Sequence, residues 1–239
     1  MIEIKGLKKN LDGAQVLDGV DLVIEKHKTT VVIGESGCGK TVLLKHIIGF
    51  FKPDKGEIYC GGKRIDRLSL RALNTIRRKM TMVFQHSALF DWLSVYENIA
   101  LPLREQHRLG EEEIQKLVKE KLEMVSMSGQ ENKTPSELSF GMQKRVSLAR
   151  ALVFNPEYIL YDEPTTGLDP IIANNIIELF STFQKELHTT SLIVSHDISI
   201  VFKIADKVAL LKNGKIIFQG TVSQLEKSND PYIKKFISR

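Results

Sequence analysis

At 239 residues, 42% hydrophobic and 26% charged, the chain has room for one large α/β domain, or a domain with an inserted lobe, and is too apolar to stay disordered. No run of about 18 apolar residues occurs, since "LLKHIIGFF" is short and carries Lys45 and His46, so no membrane-spanning helix is expected. The net charge of +5 is spread along the chain, with only short clusters such as "IRRKM" and "KKF", which favours a solvated surface over a nucleic-acid patch.

The start, "MIEIKGL", alternates like a strand and lacks a signal-peptide core, so a cytosolic location is expected. Residues 1–7, 14–24 and 56–60 read as antiparallel strands. Four apolar, β-rich runs, "TTVVIG" (29–34), "MTMVFQ" (80–85), "YILYDE" (158–163) and "SLIVSH" (191–196), are continuous rather than alternating. That is the mark of strands buried on both faces of a parallel sheet. Helical patterns fall between them: 40–50, "KTVLLKHIIGF", and 168–187, with Asp169 as N-cap and Pro170 at the first helical position. Residues 86–155 contain no convincing strand and read as an inserted helical lobe. Within it, Ile114, Leu117, Val118, Leu122 and Val125 form one apolar stripe. Cys38 and Cys60 have no metal-ligand spacing and are expected to be reduced.

"GESGCGKT" matches G-x-x-x-x-G-K-S/T, follows a predicted buried strand and opens a predicted helix. In such a loop Gly34, Glu35, Ser36, Gly37, Cys38 and Gly39 curl so that backbone N–H groups face phosphate oxygens. Lys40 reaches the terminal phosphates, and the Thr41 hydroxyl is offered to Mg²⁺. A second element, "YILYDEP", ends an apolar strand with adjacent carboxylates, costly to bury without partners. Asp162 is placed to hold Mg²⁺ through water, and Glu163 to polarise an attacking water.

The ordered set "GESGCGKT", Gln85, "LSFGM", "YILYDEPTTGLD" and "SHD" resembles the ATP-binding subunits of ABC transporters over nearly the whole chain. The resemblance implies an α/β P-loop NTPase fold: one ABC ATPase domain over 1–239, with a RecA-like core (1–88 and 156–239), an antiparallel β edge and a helical lobe (89–155). It implies ATP and Mg²⁺ as ligands and a head-to-tail homodimer, each ATP lying between the phosphate loop of one copy and Ser139 and Gly141 of the other. Gln85 would sense Mg²⁺ and the attacking water, His196 would contact the γ-phosphate, and Asp169 would signal across the dimer. "VLLKHIIGFFKPDKGEI", "MVFQHSALFDWLSVYENIALPLRE" and "LYDEPTTGLDPI" are similar more narrowly to the Mla/Mce-type lipid-transport ATPases. That implies an Mg-dependent ATPase, peripheral on the inner face of the cell membrane, that moves phospholipid or related lipid through an integral-membrane permease. An MCE-type lipid-binding protein and a small regulatory subunit are further partners of this pattern; nucleic acid is not. Leu89, Phe90, Trp92 and Leu93 are expected to line a groove for a permease helix, with lobe core as the alternative for these apolar residues, Trp92 standing evenly between the two.

Three departures from the family pattern stand out. Leu11 sits where an aromatic residue usually stacks on adenine. Phe140 occupies a usual glycine, strained by about 1–3 kcal/mol if the backbone there needs positive φ, or packed on the dimer interface or lobe if it does not. No long C-terminal tail is expected after "KKFISR" to embrace the neighbouring copy. The competing readings are the ATPase of a small-solute importer, a soluble ABC ATPase acting on nucleic acid or ribosomes, and a small-molecule kinase.

Overall fold

The computed structural model describes residues 1–105 and 109–238. Residues 106–108, within the expected lobe, and Arg239, the last of "KKFISR", lie outside the described residues. The chain opens with strands β1 (Ile2–Leu11), β2 (Ala14–Ile24) and β3 (Thr29–Ile33), then helix α1 (Lys40–Ile47). Strands β4 (Lys55–Cys60) and β5 (Lys63–Arg64), helix α2 (Leu70–Arg77) and strand β6 (Met80–Val83) follow. Next come helices α3 (Val95–Arg104), α4 (Glu111–Met124) and α5 (Phe140–Leu152), strand β7 (Tyr158–Asp162) and helix α6 (Pro170–Leu187). The remainder is β8 (Thr190–Ser195), α7 (Ser199–Ile204), β9 (Lys207–Lys212), β10 (Lys215–Gly220), α8 (Val222–Glu226) and α9 (Pro231–Ile237).

Two sheets result. A 4-stranded sheet runs β2-β1-β4-β5, and a 6-stranded sheet runs β10-β9-β3-β8-β7-β6. The four continuous apolar runs are β3, β6, β7 and β8, and they pair in parallel. Burial explains their composition: Val31 and Ile33 enter one core while Val32 enters the other, so neither face of β3 meets water. One core lies between the 4-stranded sheet, α1 and the 6-stranded sheet; the other lies under α3 to α7.

No strand occurs among the described residues of 86–155. Helices α3, α4 and α5 pack on one another there. On α4 the predicted stripe holds: Ile114, Val118 and Leu122 are buried, as is Val125 just beyond, and Leu117 packs beside them. Strands β9 and β10 are additions to the sequence-based assignment. They form a hairpin over Asn213 (φ 47°) and Gly214 (φ 73°), and β9 also pairs in parallel with β3.

Candidate active site

Strands β3, β8 and β7 are neighbours, and their registers align their carboxyl ends: Ile33 with Ser195, and Val194 with Asp162. Crevices beyond the carboxyl ends of parallel strands are where open α/β sheets bind ligands. Here three sequence-distant motifs meet. Beyond β3 the phosphate loop turns into α1; β7 ends on Asp162 and is followed by Glu163; beyond β8 comes His196. Gln85, two residues past β6, joins them along a cleft of about 330 Å³ whose walls include Ser36, Gly37, Lys40, Thr41 and Glu163.

Gly39 shows why this loop needs glycine. Its φ is 109°, and a Cβ there would stand 2.9 Å from Leu17 Cδ2 and 3.0 Å from the Val16 carbonyl oxygen. The turn aims Lys40 back along the loop, where its ammonium donates to the carbonyls of Gly34 at 2.8 Å and Glu35 at 3.1 Å. Thr41 Oγ1 donates to Asp162 Oδ1 at 2.9 Å. Asp162 is buried, and burial pushes its carboxyl above the usual carboxylate range while the Thr41 bond pulls it back. Burial likewise raises the Cys38 thiol, which keeps it a neutral, unreactive part of the loop.

Glu163 occupies left-handed backbone, φ 47°, a conformation that costs a non-glycine residue about 1–3 kcal/mol. Its N–H is tied to the Val194 carbonyl at 2.9 Å, which holds the residue in that bend. The carboxylate thereby spans the cleft: Oε1 is 3.2 Å from Lys40 Nζ, and Oε2 is 2.8 Å from His196 Nδ1. Oε2 also accepts from the His196 N–H at 3.2 Å and from the hydroxyls of Ser195 and Thr166, each at 3.4 Å.

Away from this cleft, Ser139 caps α5, its Oγ accepting from the Met142 N–H at 3.3 Å. Phe140 is the first residue of α5, and its φ is not positive, so the strained alternative falls away. Its ring lies against Gly167, where an added Cβ would meet Phe140 Cε1 at 3.4 Å, and 5.3 Å from the Lys144 ammonium on the same helix. Gly141 has a packing reason of its own, since a Cβ there would be 2.7 Å from Ile172 Cγ2 on α6. Asp169 caps α6, accepting from the Ile171 and Ile172 N–H groups at 3.0 and 3.1 Å, and is exposed.

The profile of the family described as "ABC transporter" matches residues 17–166. The chain belongs to the ABC transporter family. It is 41% identical to the "Intermembrane phospholipid transport system ATP-binding protein MlaF" of Haemophilus influenzae, over 99% of this chain and 90% of that protein. It is 38% identical to the "Probable ribonucleotide transport ATP-binding protein mkl" of Mycobacterium leprae, over 99% of this chain and 68% of that one. Among solved structures, the ATP-binding cassette MJ0796, a dimer in a post-hydrolysis state bound to ADP and Pi, superposes with a TM-score of 0.83 at 32% identity, over 93% of this chain and 99% of that one. The cbiO1 subunit of Clostridium perfringens, part of the cbiONQ transporter complex, gives 0.88 at 34%, over 100% and 94%. The fold is thus that of an ABC ATPase, and ATP is the ligand of the family.

The remaining residues expected of an ABC cassette are less evenly placed. Leu11 ends β1 beside the Asp12–Gly13 turn and is not among the residues of the cleft wall; Val16 of β2 is. Thr166 and Ser195 also reach the site without having been singled out by sequence. Of the four expected groove residues, Phe90 lines a larger groove of about 720 Å³ together with Arg77, Phe84, Arg150 and Phe154. Leu89 packs on the core, Leu93 is half-buried, and Trp92 is 78% exposed with its ring 5.3 Å from that of Phe90. Trp92 is therefore not lobe core. One buried side chain, Asn98, organises this loop: it accepts from the Phe90 N–H at 2.8 Å and donates to the carbonyls of Phe90, Leu93 and Ser94.

Proposed function

We propose that the chain is the Mg-dependent ATP-hydrolysing subunit of a bacterial transporter that moves phospholipid or a related lipid between membranes through a separate permease. The hydrolytic part rests on one observation, the Glu163 carboxylate held between Lys40 and His196 at the mouth of the phosphate loop. Lys40 and the loop N–H groups from Gly34 to Thr41 would hold the β- and γ-phosphates. Thr41 and Asp162, already 2.9 Å apart, are hard oxygen donors suited to Mg²⁺, with Gln85 alongside. Among the described residues no group of three His, Cys, Asp or Glu is arranged for a metal, so the nucleotide's own oxygens would complete the shell. The ion would neutralise charge developing on the phosphates.

Glu163 accepts a proton from water as the water oxygen bonds to the γ-phosphorus. The bond to the β,γ-bridging oxygen breaks, leaving ADP and phosphate. His196 holds that carboxylate and faces the γ-phosphate. Two copies pair head to tail, so that the α5 N-terminus with Ser139 and Gly141 covers the partner's ATP and Asp169 carries the state of one site to the other. Val16, rather than Leu11, would cover the adenine. Among the described residues no helix is long and apolar enough to cross a membrane, which fits a chain held at the inner face of the membrane by its permease. Phe90 and the groove beside it would receive a permease helix.

The lipid cargo is supported by the 41% identity to the phospholipid-transport ATPase. The test is purification of the tagged chain from native membranes in mild detergent, with its companions identified. A permease with an MCE-type protein and bound phospholipid is the expected result. A permease with a solute-binding protein would favour a small-solute importer, in line with the mkl relative.

A further inference from the structure

Lys144, one turn into α5, is 2% exposed, and among the described residues it makes no ion pair. Its ammonium donates to the main-chain carbonyl of Gln85 and, at 3.5 Å, to that of Phe84. On its other side it lies 5.3 Å from the centre of the Phe140 ring. An ammonium buried without a carboxylate is expensive, and an apolar side chain of the same length would fill the space at less cost. What the ammonium adds is directional: two carbonyl dipoles at the foot of the cleft are pinned to the helix. Arg150 grips the same segment again by donating to the Ser87 carbonyl at 3.1 Å. The segment 84–87 is thus fastened to α5 rather than to the sheet it leaves, while Gln85 itself lines the nucleotide cleft.

The geometry points to Lys144 as a positioning residue for hydrolysis: by fixing the backbone at Phe84 and Gln85 it sets where the Gln85 amide meets the terminal phosphate and attacking water. Phe140 shields this contact from solvent and carries it to Gly167, in the loop between Glu163 and Asp169. The phenylalanine that stands at the usual glycine of "LSFGM" thereby acquires a use, as the cover over a buried ammonium. The inference rests on the reading of Gln85 given above.

The test is a double-mutant cycle on the full-length chain, with ATP turnover measured across ATP concentration for Lys144→Met, Lys144→Arg, Gln85→Ala and Lys144→Met with Gln85→Ala. Misplacing a reacting group by about 1 Å can lower turnover up to about 100-fold. Lys144→Met is expected to lower kcat about 10-fold or more with KM for ATP within about twofold, since the phosphates are held chiefly by Lys40 and the loop N–H groups. Lys144→Arg, which keeps the donors, should recover most of that loss. The double variant should be no slower than Gln85→Ala alone, because the two act as one unit. Wild-type kcat for Lys144→Met, or losses that multiply in the double variant while Gln85→Ala is slow, overturns the inference alone. An unaffected Gln85→Ala overturns the assignment of Gln85 and this inference with it. If Lys144→Met does not fold, Lys144→Gln, neutral but with amide donors, enters the same cycle with the same decisive outcomes.

Discussion

The Lys40 ammonium and the Glu163 carboxylate stand 3.2 Å apart with side chains only 5% and 12% exposed, a close contact between the phosphate loop and the end of β7. On the proposed mechanism, removing the carboxylate's charge would remove the proton acceptor and leave Lys40 free for phosphate. Glu163→Gln is therefore expected to retain ATP binding while turnover falls by about 100-fold or more, the usual scale for a general base. Phosphate release and ATP-dependent dimerisation, measured on the same sample, check this. Turnover within a few-fold of wild type would remove Glu163 from the chemistry.

Phe140 starts α5 in right-handed backbone, so glycine there relieves no strain. Phe140→Gly is expected to lower stability by about 1 kcal/mol, the cost of glycine in a helix, with turnover unchanged or reduced. A several-fold gain in turnover would mean that the phenylalanine impairs the "LSFGM" segment.

Asn98 is fully buried and satisfies one N–H and three carbonyls of the loop that displays Phe90 and Trp92. Asn98→Ala strands the Phe90 N–H and the Leu93 carbonyl, at about 1–3 kcal/mol each, while the Phe90 and Ser94 carbonyls keep the main-chain N–H groups of Leu93 and residue 98. A loss of about 3 kcal/mol, equivalent to about 6–12 °C in Tm, is expected, together with weakened capture of the permease and intact nucleotide binding. Calorimetry and co-purification read the two effects separately. A wild-type Tm would show that the loop does not depend on this side chain.

His46, on the helix that follows the phosphate loop, is buried, and burial pushes its imidazole below the ordinary value of 6.5. Its Nδ1 donates to the Val42 carbonyl at 2.8 Å, and Nε2 has no partner to accept a proton for. As pH falls below about 6.5 the unfolded chain takes up this proton first, so folding stability falls with it. His46→Leu should flatten that part of the profile, measured by urea unfolding between pH 7 and 5 (about the window of histidine titration). Parallel profiles for the two proteins would contradict the assignment.

The parts legible in sequence were those carried by local pattern. Continuous apolar runs identified β3, β6, β7 and β8 because burial on both faces leaves no room for polar alternation. The glycines and lysine of the phosphate loop, and the paired carboxylates after β7, were legible because their chemistry dictates their spacing. Strand β9 escaped because "KVALLK" is short and bounded by lysines, although Asn213-Gly214 is a hairpin signal in its own right. Val16, Thr166 and Ser195 could not be picked out, since only tertiary folding brings β2, the loop after Glu163 and the end of β8 to one cleft. Gly141 was read as a phosphate contact, and sequence gave no hint that Ile172 packs against it.

The most direct test of the central claim is lipid movement by the chain together with its co-purified permease, reconstituted in phospholipid vesicles with a labelled phospholipid as reporter. Mg-ATP is expected to drive transfer of the label, and Glu163→Gln, which still binds ATP, is expected to abolish it. Brisk ATP hydrolysis with no movement of the label, but with transport of a water-soluble solute, would contradict the lipid-transport reading.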